Sequence, residues 1–455
     1  MPPLDIPDRR MLFARMMEEA AASTGLPAPR LPAMEVFAQT SVADRLQDPL
    51  TLMMAALMAL QVDVISALSL NRTELAWKVA RTLVADRMRE AVGHHKALFL
   101  HMAGVATLCG TLSREEALHI LEEESMATGL GSVADPETFI SALQAWLPGE
   151  ATEIGAIQPD IVGEAFLIGD GNTRYLYNAE TAVLRAARRK IGPVIQTLVR
   201  TAQDFSFSVA GSRQEPLAWL ERLIEQGQAD EDLELLMELS NRMPKSSLVL
   251  RDAAVRISQA LLARLRAADQ DSVAMQMMLG VALNTLANRL SEAGQREKAL
   301  LTAQEAAELY RELVSRNRDA FLPDLAMSLN NLANQLSAAG QRKEALLTAQ
   351  EAAGLYHELV PKSPDTFVVS YARALGTLGQ MLVAVDHLSE AAVVFAAGLE
   401  AILPWAEKFP QALSGLGLAL LKKYVSLLQT AGLKPDTGLL EKAASILGPY
   451  LNQGD

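Results

Sequence analysis

The stretch LNTLANRLSEAGQREKALLTAQEAAELYRELV, residues 283–314, returns as LNNLANQLSAAGQRKEALLTAQEAAGLYHELV, residues 329–360, an offset of 46. A third, weaker copy, LGTLGQMLVAVDHLSEAAVVFAAGLEAI, begins at Leu375 with the same offset. Leu283, Leu286, Ala287 and Leu290 are three or four residues apart and so share one helix face. Gly294 then ends that helix. Ala299, Ala303 and Ala306 form a small-residue stripe on a second helix, which lets the two axes approach closely. Leu329, Leu332, Ala333, Leu336, Gly340, Ala345, Ala349 and Ala352 repeat these places. So do Leu375, Leu378, Gly379, Leu382, Asp386, Ala391, Phe395 and Gly398. Copies held in one register predict a mainly α fold, an α-α superhelix whose helix pairs complete their core against their neighbours.

Large, large, small and large residues, a Gly turn and then small residues: this spacing resembles the tetratricopeptide repeat. The period exceeds that family's usual value of about 34, which predicts extended helices or a longer connection holding Pro323. The lengthening resembles the repeats of kinesin light chains and of many bacterial signalling proteins. A degenerate fourth pair at residues 421–447, with Gly432 in phase, reads as a terminal cap. The resemblance implies a concave groove lined by the first helix of each pair, in which a peptide or protein binds. Asn284 and Asn288 are then groove residues, Asn330 and Asn334 repeat them, and Gln380 joins them from the third copy. A side-chain amide donates to and accepts from a peptide backbone at once, which suits an extended ligand. Chaperone-binding members of the family clamp a terminal carboxylate with Lys and Arg; no Lys stands beside these asparagines. Tyr310 and Tyr356, late in the second helices, are expected to pack between repeats.

Upstream, helical periodicity continues without repetition. PLAWLERLIEQ (216–226), DEDLELLMELSNRM (230–243) and SLVLRDAAVRISQALLARLRA (247–267) carry apolar residues at helical spacing, with Pro244 between the last two. RYLYNAETAVLRAARRKIGPVIQTLVRTAQDF (174–205) is a helical block interrupted at Gly192-Pro193. In LSREEALHILEEE, Ser113 reads as an N-cap with Glu116 three residues on. Residues 153–171, EIGAIQPDIVGEAFLIGDG, read as a β-rich, wing-like element. DPLTLMMAALMAL, ATLCGTLSREEAL and IQPDIVGEAFLI together resemble the region after the nucleotide-binding core of bacterial STAND NTPases, the NACHT and NB-ARC relatives. That resemblance implies a helical lid-like segment (1–48), a small winged-helix-like domain (49–172), a helical linker (173–268), tetratricopeptide repeats (269–402) and a degenerate cap (403–455). No Gly-Lys dipeptide occurs in the chain, so the phosphate-binding loop of that family is missing. The chain reads as a domain-loss relative, a split-gene product or a fragment, and ATP hydrolysis is not expected of it.

Of the 455 residues 50% are hydrophobic but only 5% aromatic, the balance that stacked aliphatic helix pairs require. A formal charge of −13 works against nucleic acid and anionic membranes unless a local basic patch intervenes. The run Arg185, Arg188, Arg189 and Lys190 is short and reads as a solvated face. The lone Cys109 excludes an internal disulfide and a Cys-based zinc site, fits a reducing cytoplasm, and reads as a buried small residue. Asp5, Asp8, Arg9 and Arg10 precede any apolar run, unlike a signal peptide. The apolar stretch 49–70 is interrupted by Gln61, Asp63 and Ser66 and reads as a buried core helix, not a membrane span.

His94, His95, His101, His119, His357 and His387 lack ligand spacing and read as surface or capping residues; Glu116-x-x-His119 is a single, unpaired motif. Leu83-Val84-Ala85-Asp86 looks like a magnesium-binding strand end but lies in a helical pattern. Ser132 lacks the second Gly of a nucleophile elbow. Gly169-Asp170-Gly171 and Gly415-Leu416-Gly417 read as a turn and as close helix packing. No catalytic residue, cofactor or metal is therefore expected. The expectation is a cytoplasmic, non-catalytic scaffold or sensor that binds a protein or peptide, with an NTPase or effector as a further partner and neither nucleic acid nor membrane. Two alternatives stand beside it: a winged-helix DNA-binding regulator controlled by its repeats, and the detached regulatory part of a STAND NTPase.

Overall fold

Side-chain caps start several of the described helices, those of Asp48, Asp63, Asn71, Ser113, Asp135, Asp232, Asn317 and Asp436 among them. The computed structural model describes residues 5–24, 26–39, 47–93, 95–169, 173–206, 214–268 and 272–451. These form two compact units, Met1–Ile257 and Ser258–Asp455. Among the described residues there is no strand, only isolated bridges joining Ile154 to Leu112 and to Pro148.

In the N-terminal unit the apolar stretch 49–70 is two short helices, Pro49–Ala59 and Val64–Ser69, each started by an Asp side chain that accepts from backbone N–H groups. Residues 80–85, with the strand-end look-alike, form a π-helical turn inside a continuous helical run. The buried helix α1 (Lys96–Cys109) is the hub of this unit. Five later helices pack on it: α2 (Arg114–Thr128), α3 (Pro136–Trp146), α4 (Asp160–Ile168), α5 (Ala179–Arg189) and α6 (Ile191–Phe205). Ser113 starts α2 through a complete capping box: Glu116 N–H donates to its hydroxyl at 3.2 Å and its own N–H donates to Glu116 at 2.7 Å. The β-rich reading of 153–171 is corrected. Within it only Ile154 bridges, and Asp160–Ile168 is helix α4, buried at every residue after Asp160. A short apolar run without alternation suits a fully buried helix as well as a buried strand, and here burial on every side selects the helix. The break in the 174–205 block also moves. It falls at Lys190, and Pro193 occupies the first turn of α6, where a missing N–H costs no hydrogen bond. Asp170 and Gly171, like His94, lie outside the described residues.

The C-terminal unit is a series of helix pairs: α7 (Val273–Glu292) with α8 (Arg296–Arg316), α9 (Arg318–Ala338) with α10 (Arg342–Leu359), α11 (Pro364–Ala384) with α12 (Leu388–Lys408), and α13 (Pro410–Ala431) with α14 (Thr437–Leu447). Each helix packs on the one before and the one after, and the first helices of successive pairs also touch, as a repeat superhelix requires. The long period is taken up by helix length. α8 and α9 are each 21 residues and are joined by Asn317 alone. Pro323 lies inside α9, not in a connection; six residues in, it removes only one early backbone bond. The alanine stripe is the core: Ala299, Ala303, Ala306, Ala345, Ala349, Ala352 and Ala391 are all 0% exposed. Tyr310 and Tyr356 are buried as expected, Tyr310 beneath Gly280, where a Cβ would meet the ring at 2.6 Å. The pair α11 and α12 is long and apolar enough to cross a membrane by length and composition, yet Leu375, Leu382, Leu399 and Ile402 place both helices in the repeat core.

The in-phase turn residues Gly294, Gly340, Asp386 and Gly432 share a left-handed conformation, with φ of 75°, 82°, 66° and 63°. No neighbour crowds Gly340, so Gly340→Ala tests conformation alone. It is expected to cost about 1–2 kcal/mol, while Asp386→Gly is expected to stabilise by up to about 1 kcal/mol. Urea unfolding of both variants checks the pair of signs.

Candidate functional site

The first helices α7, α9 and α11 carry the amide row, and the structure divides it in two. Asn284 turns toward the neighbouring helix and is 4% exposed. Its Oδ1 accepts from the Ser328 hydroxyl and from Asn331 Nδ2, each at 3.3 Å. Asn288 is exposed, and its Oδ1 accepts from Gln335 Nε2 at 3.4 Å. Asn330 is half-buried and Asn334 exposed. Gln380, also exposed, donates to the Gly376 carbonyl one turn earlier, at 3.1 Å. Asn284 Nδ2 and Asn330 Oδ1 are buried and make no hydrogen bond among the described residues, an uncommon condition for buried amide atoms. The row is thus a network between α7 and α9, with a donor and an acceptor unused, while Gln380 bonds only within α11. Ser328, Asn331 and Gln335 belong to it and were not singled out from sequence. They stand three or four residues apart on α9, one helical face, which is the signal that links them.

A second polar cluster lies in the N-terminal unit. His101 on α1 and Glu124 on α2 are both 0% exposed and meet at 2.9 Å. Tyr177 N–H donates to His101 Nδ1 at 3.1 Å, so the ring proton on Nε2 is the one that Glu124 accepts. Arg185 on α5 adds a bidentate pair to the same carboxylate, 2.9 Å from Nε and 2.5 Å from Nη2. Arg189 reaches Glu124 at 3.3 Å and also pairs with Glu123, and Lys190 pairs with Glu116 at 3.0 Å. Burial alone would raise the Glu124 carboxyl, but hydrogen bonds from Arg185 and His101 outweigh it and hold the group at about 2. Two expectations are corrected here. His101 is a core residue, not a surface or capping one. Three of the four residues in the basic run are not a solvated face, because Arg185, Arg189 and Lys190 are bound to the acidic side of α2. Only Arg188 of that run is exposed.

Burial pushes the Cys109 thiol up to about 12 and so keeps it protonated. Among the described residues no three His, Cys, Asp or Glu side chains are placed to hold a metal ion. The close-packing reading of Gly415-Leu416-Gly417 holds for Gly417, where a Cβ would meet the Leu447 side chain at 3.0 Å, and not for Gly415, which has open space beside it.

No protein-family model matches the chain, and no curated protein matches it either. Among solved structures it is similar to a "circular tandem repeat protein with novel repeat topology and enhanced subunit contact surfaces", at 14% identity over 98% of this chain and 96% of that one. The TM-score is 0.28, too low for that likeness to decide fold or function.

Proposed function

We propose that the C-terminal unit is a tetratricopeptide-like scaffold that holds an extended peptide of a partner protein against α7, α9 and α11, without catalysing a reaction. The observation that carries this reading is the exposed amide row Asn288, Asn334 and Gln380, which recurs at one place on the first helices of three successive pairs. A peptide backbone offers both a donor and an acceptor to such side-chain amides, while Asn284 and Asn330 lie behind them and join the packing between helices. The helix order α1, bridge at Leu112, α2, α3, then bridges at Pro148 and Ile154 supports a winged-helix-like reading for that part of the N-terminal unit. We assign it a docking role toward an NTPase or effector in a cytoplasmic signalling assembly. DNA reading is the weaker alternative: PETFISALQAW on α3 has no basic residue, α2 is acidic, and Arg185, Arg189 and Lys190 are engaged internally.

Phage-displayed random peptides panned on the full chain test the groove. Enriched sequences are expected to bind Asn288→Ala/Asn334→Ala about tenfold more weakly, the loss of two hydrogen bonds, with the variant still folded and its melting temperature lowered by no more than the loss of the Asn288–Gln335 bond. Equal binding to the variant, or no enrichment, removes the reading.

A further inference from the structure

Beyond the amide row, the 46-residue register continues into the last pair. It places Lys422 after Asn284, Asn330 and Gly376, and Lys423 after Thr285, Asn331 and Thr377. Both lysines lie on α13, where they border an open cavity of about 490 Å³ lined by α11, α12 and α13. Its floor is apolar: Phe395 and Leu427 are buried, and Leu388 and the 40% exposed Val383 complete it. Its mouth is polar, with Gln380 and Ser426 beside the two lysines.

No carboxylate lines this cavity, although the chain holds 54 acidic residues against 41 basic ones. Elsewhere in the same unit some surface cations have partners, Arg311 with Glu351, Arg318 with Glu358 and Lys362 with Asp319, whereas others, such as Arg342 and Arg373, are exposed away from any apolar recess. Among the described residues, neither Lys422 nor Lys423 has an ion pair. Burial alone moves Lys423 below the usual lysine range, with no carboxylate beside it to counter the shift. Adjacent helix residues diverge rather than face each other, so the two ammonium groups flank the mouth instead of converging on one carboxylate. An apolar hole with a cation on each side is complementary to an apolar side chain set among acidic ones.

We propose that this cavity takes an aliphatic or aromatic side chain of the bound peptide while Lys422 and Lys423 pair with Asp or Glu side chains next to it. The proposal rests on the peptide-groove reading and adds the ligand's chemistry to it. It also sets a polarity: the acidic, apolar-anchored part of the ligand lies at the α13 end, and its neutral part crosses the asparagines.

The test uses the full chain and short fluorescent peptide pools, acetylated and amidated, with a central Leu among either Asp/Glu or Asn/Gln. Fluorescence anisotropy is expected to show the acidic pool bound about tenfold more tightly at ~50 mM salt and little preferred at ~500 mM. Lys422→Gln/Lys423→Gln should erase that preference and leave neutral-pool binding unchanged. Lys422→Glu/Lys423→Glu should transfer the preference to a Lys/Arg pool, a gain that a misfolded variant cannot produce. Asn288→Ala/Asn334→Ala should weaken both pools alike. An acidic preference that survives the lysine changes, that needs an uncapped C-terminus, or that never appears overturns the subsite. Loss of both pools in the asparagine variant with no acidic preference keeps the groove and rejects the subsite. Binding that ignores the asparagines but follows the lysines does the reverse.

Discussion

Glu124→Ala is expected to cost about 3–5 kcal/mol of the N-terminal unit's stability, more than an ordinary surface change can. The carboxylate is fully buried and is the common partner of His101, Arg185 and Arg189. Arg185 is only 17% exposed at its side chain, so the truncated protein keeps a cation largely out of water with its counter-charge gone. Unfolding midpoints should fall by about 10 °C. Glu124→Gln, which keeps the shape and one acceptor, should lose roughly half as much. The pH dependence has a definite sign. The folded carboxyl titrates at about 2, below its ordinary value of 4.5. Its contribution is therefore whole above that ordinary value and drains away as the pH falls through the folded one. Urea unfolding at about pH 7 and about pH 3 should show the gap between wild type and Glu124→Ala narrowing in acid. A gap below about 1 kcal/mol at neutral pH would mean that Arg185 is satisfied by Glu123 or by solvent, and that the cluster is not an anchor.

That cluster also marks where sequence reading stops. His101 sits in an apolar helix and Glu124 in an acidic one, and nothing in either spacing pairs them. The complementary signs of LSREEALHILEEE and RAARRK were visible, but charge runs on separate helices read as solvated until packing brings them together. The repeats were legible for the opposite reason. Each copy states the same large and small residues again, so even Asp386, a substitution for Gly, could be placed at a left-handed turn. Residues 153–171 failed because a short apolar run carries no period that separates buried helix from buried strand. The groove was half legible. Asn288, Asn334 and Gln380 are exposed as a groove requires, whereas Asn284 turns inward to Ser328 and Asn331. Lys422 and Lys423 were in register all along. Nothing in the sequence of that degenerate fourth pair shows that α13 shares a cavity with α11 and α12.

The third pair departs from its siblings in one internal contact, and that departure yields the second large effect. At places where the first two pairs carry the buried Ala287 and Ala303, and Ala333 and Ala349, the third carries Gly379 and Phe395. A Cβ on Gly379 would meet the Phe395 ring at 2.7 Å, so the glycine is there to admit the ring. Phe395→Ala should cost about 3–5 kcal/mol, the transfer of a buried ring plus the space left behind. Gly379→Ala alone should cost about 1–3 kcal/mol through overpacking. In the Phe395→Ala background the sign reverses. The new methyl then enters vacated space, restores the two alanines that the other pairs carry at these places, and removes a glycine from a helix interior, a gain of about 1 kcal/mol. The double-mutant cycle should therefore show a coupling of at least about 2 kcal/mol between two residues in direct contact. Additive losses would mean that α11 and α12 hold their separation through the rest of their interface. The alternation of small and large residues would then be a consequence of helix spacing rather than its cause.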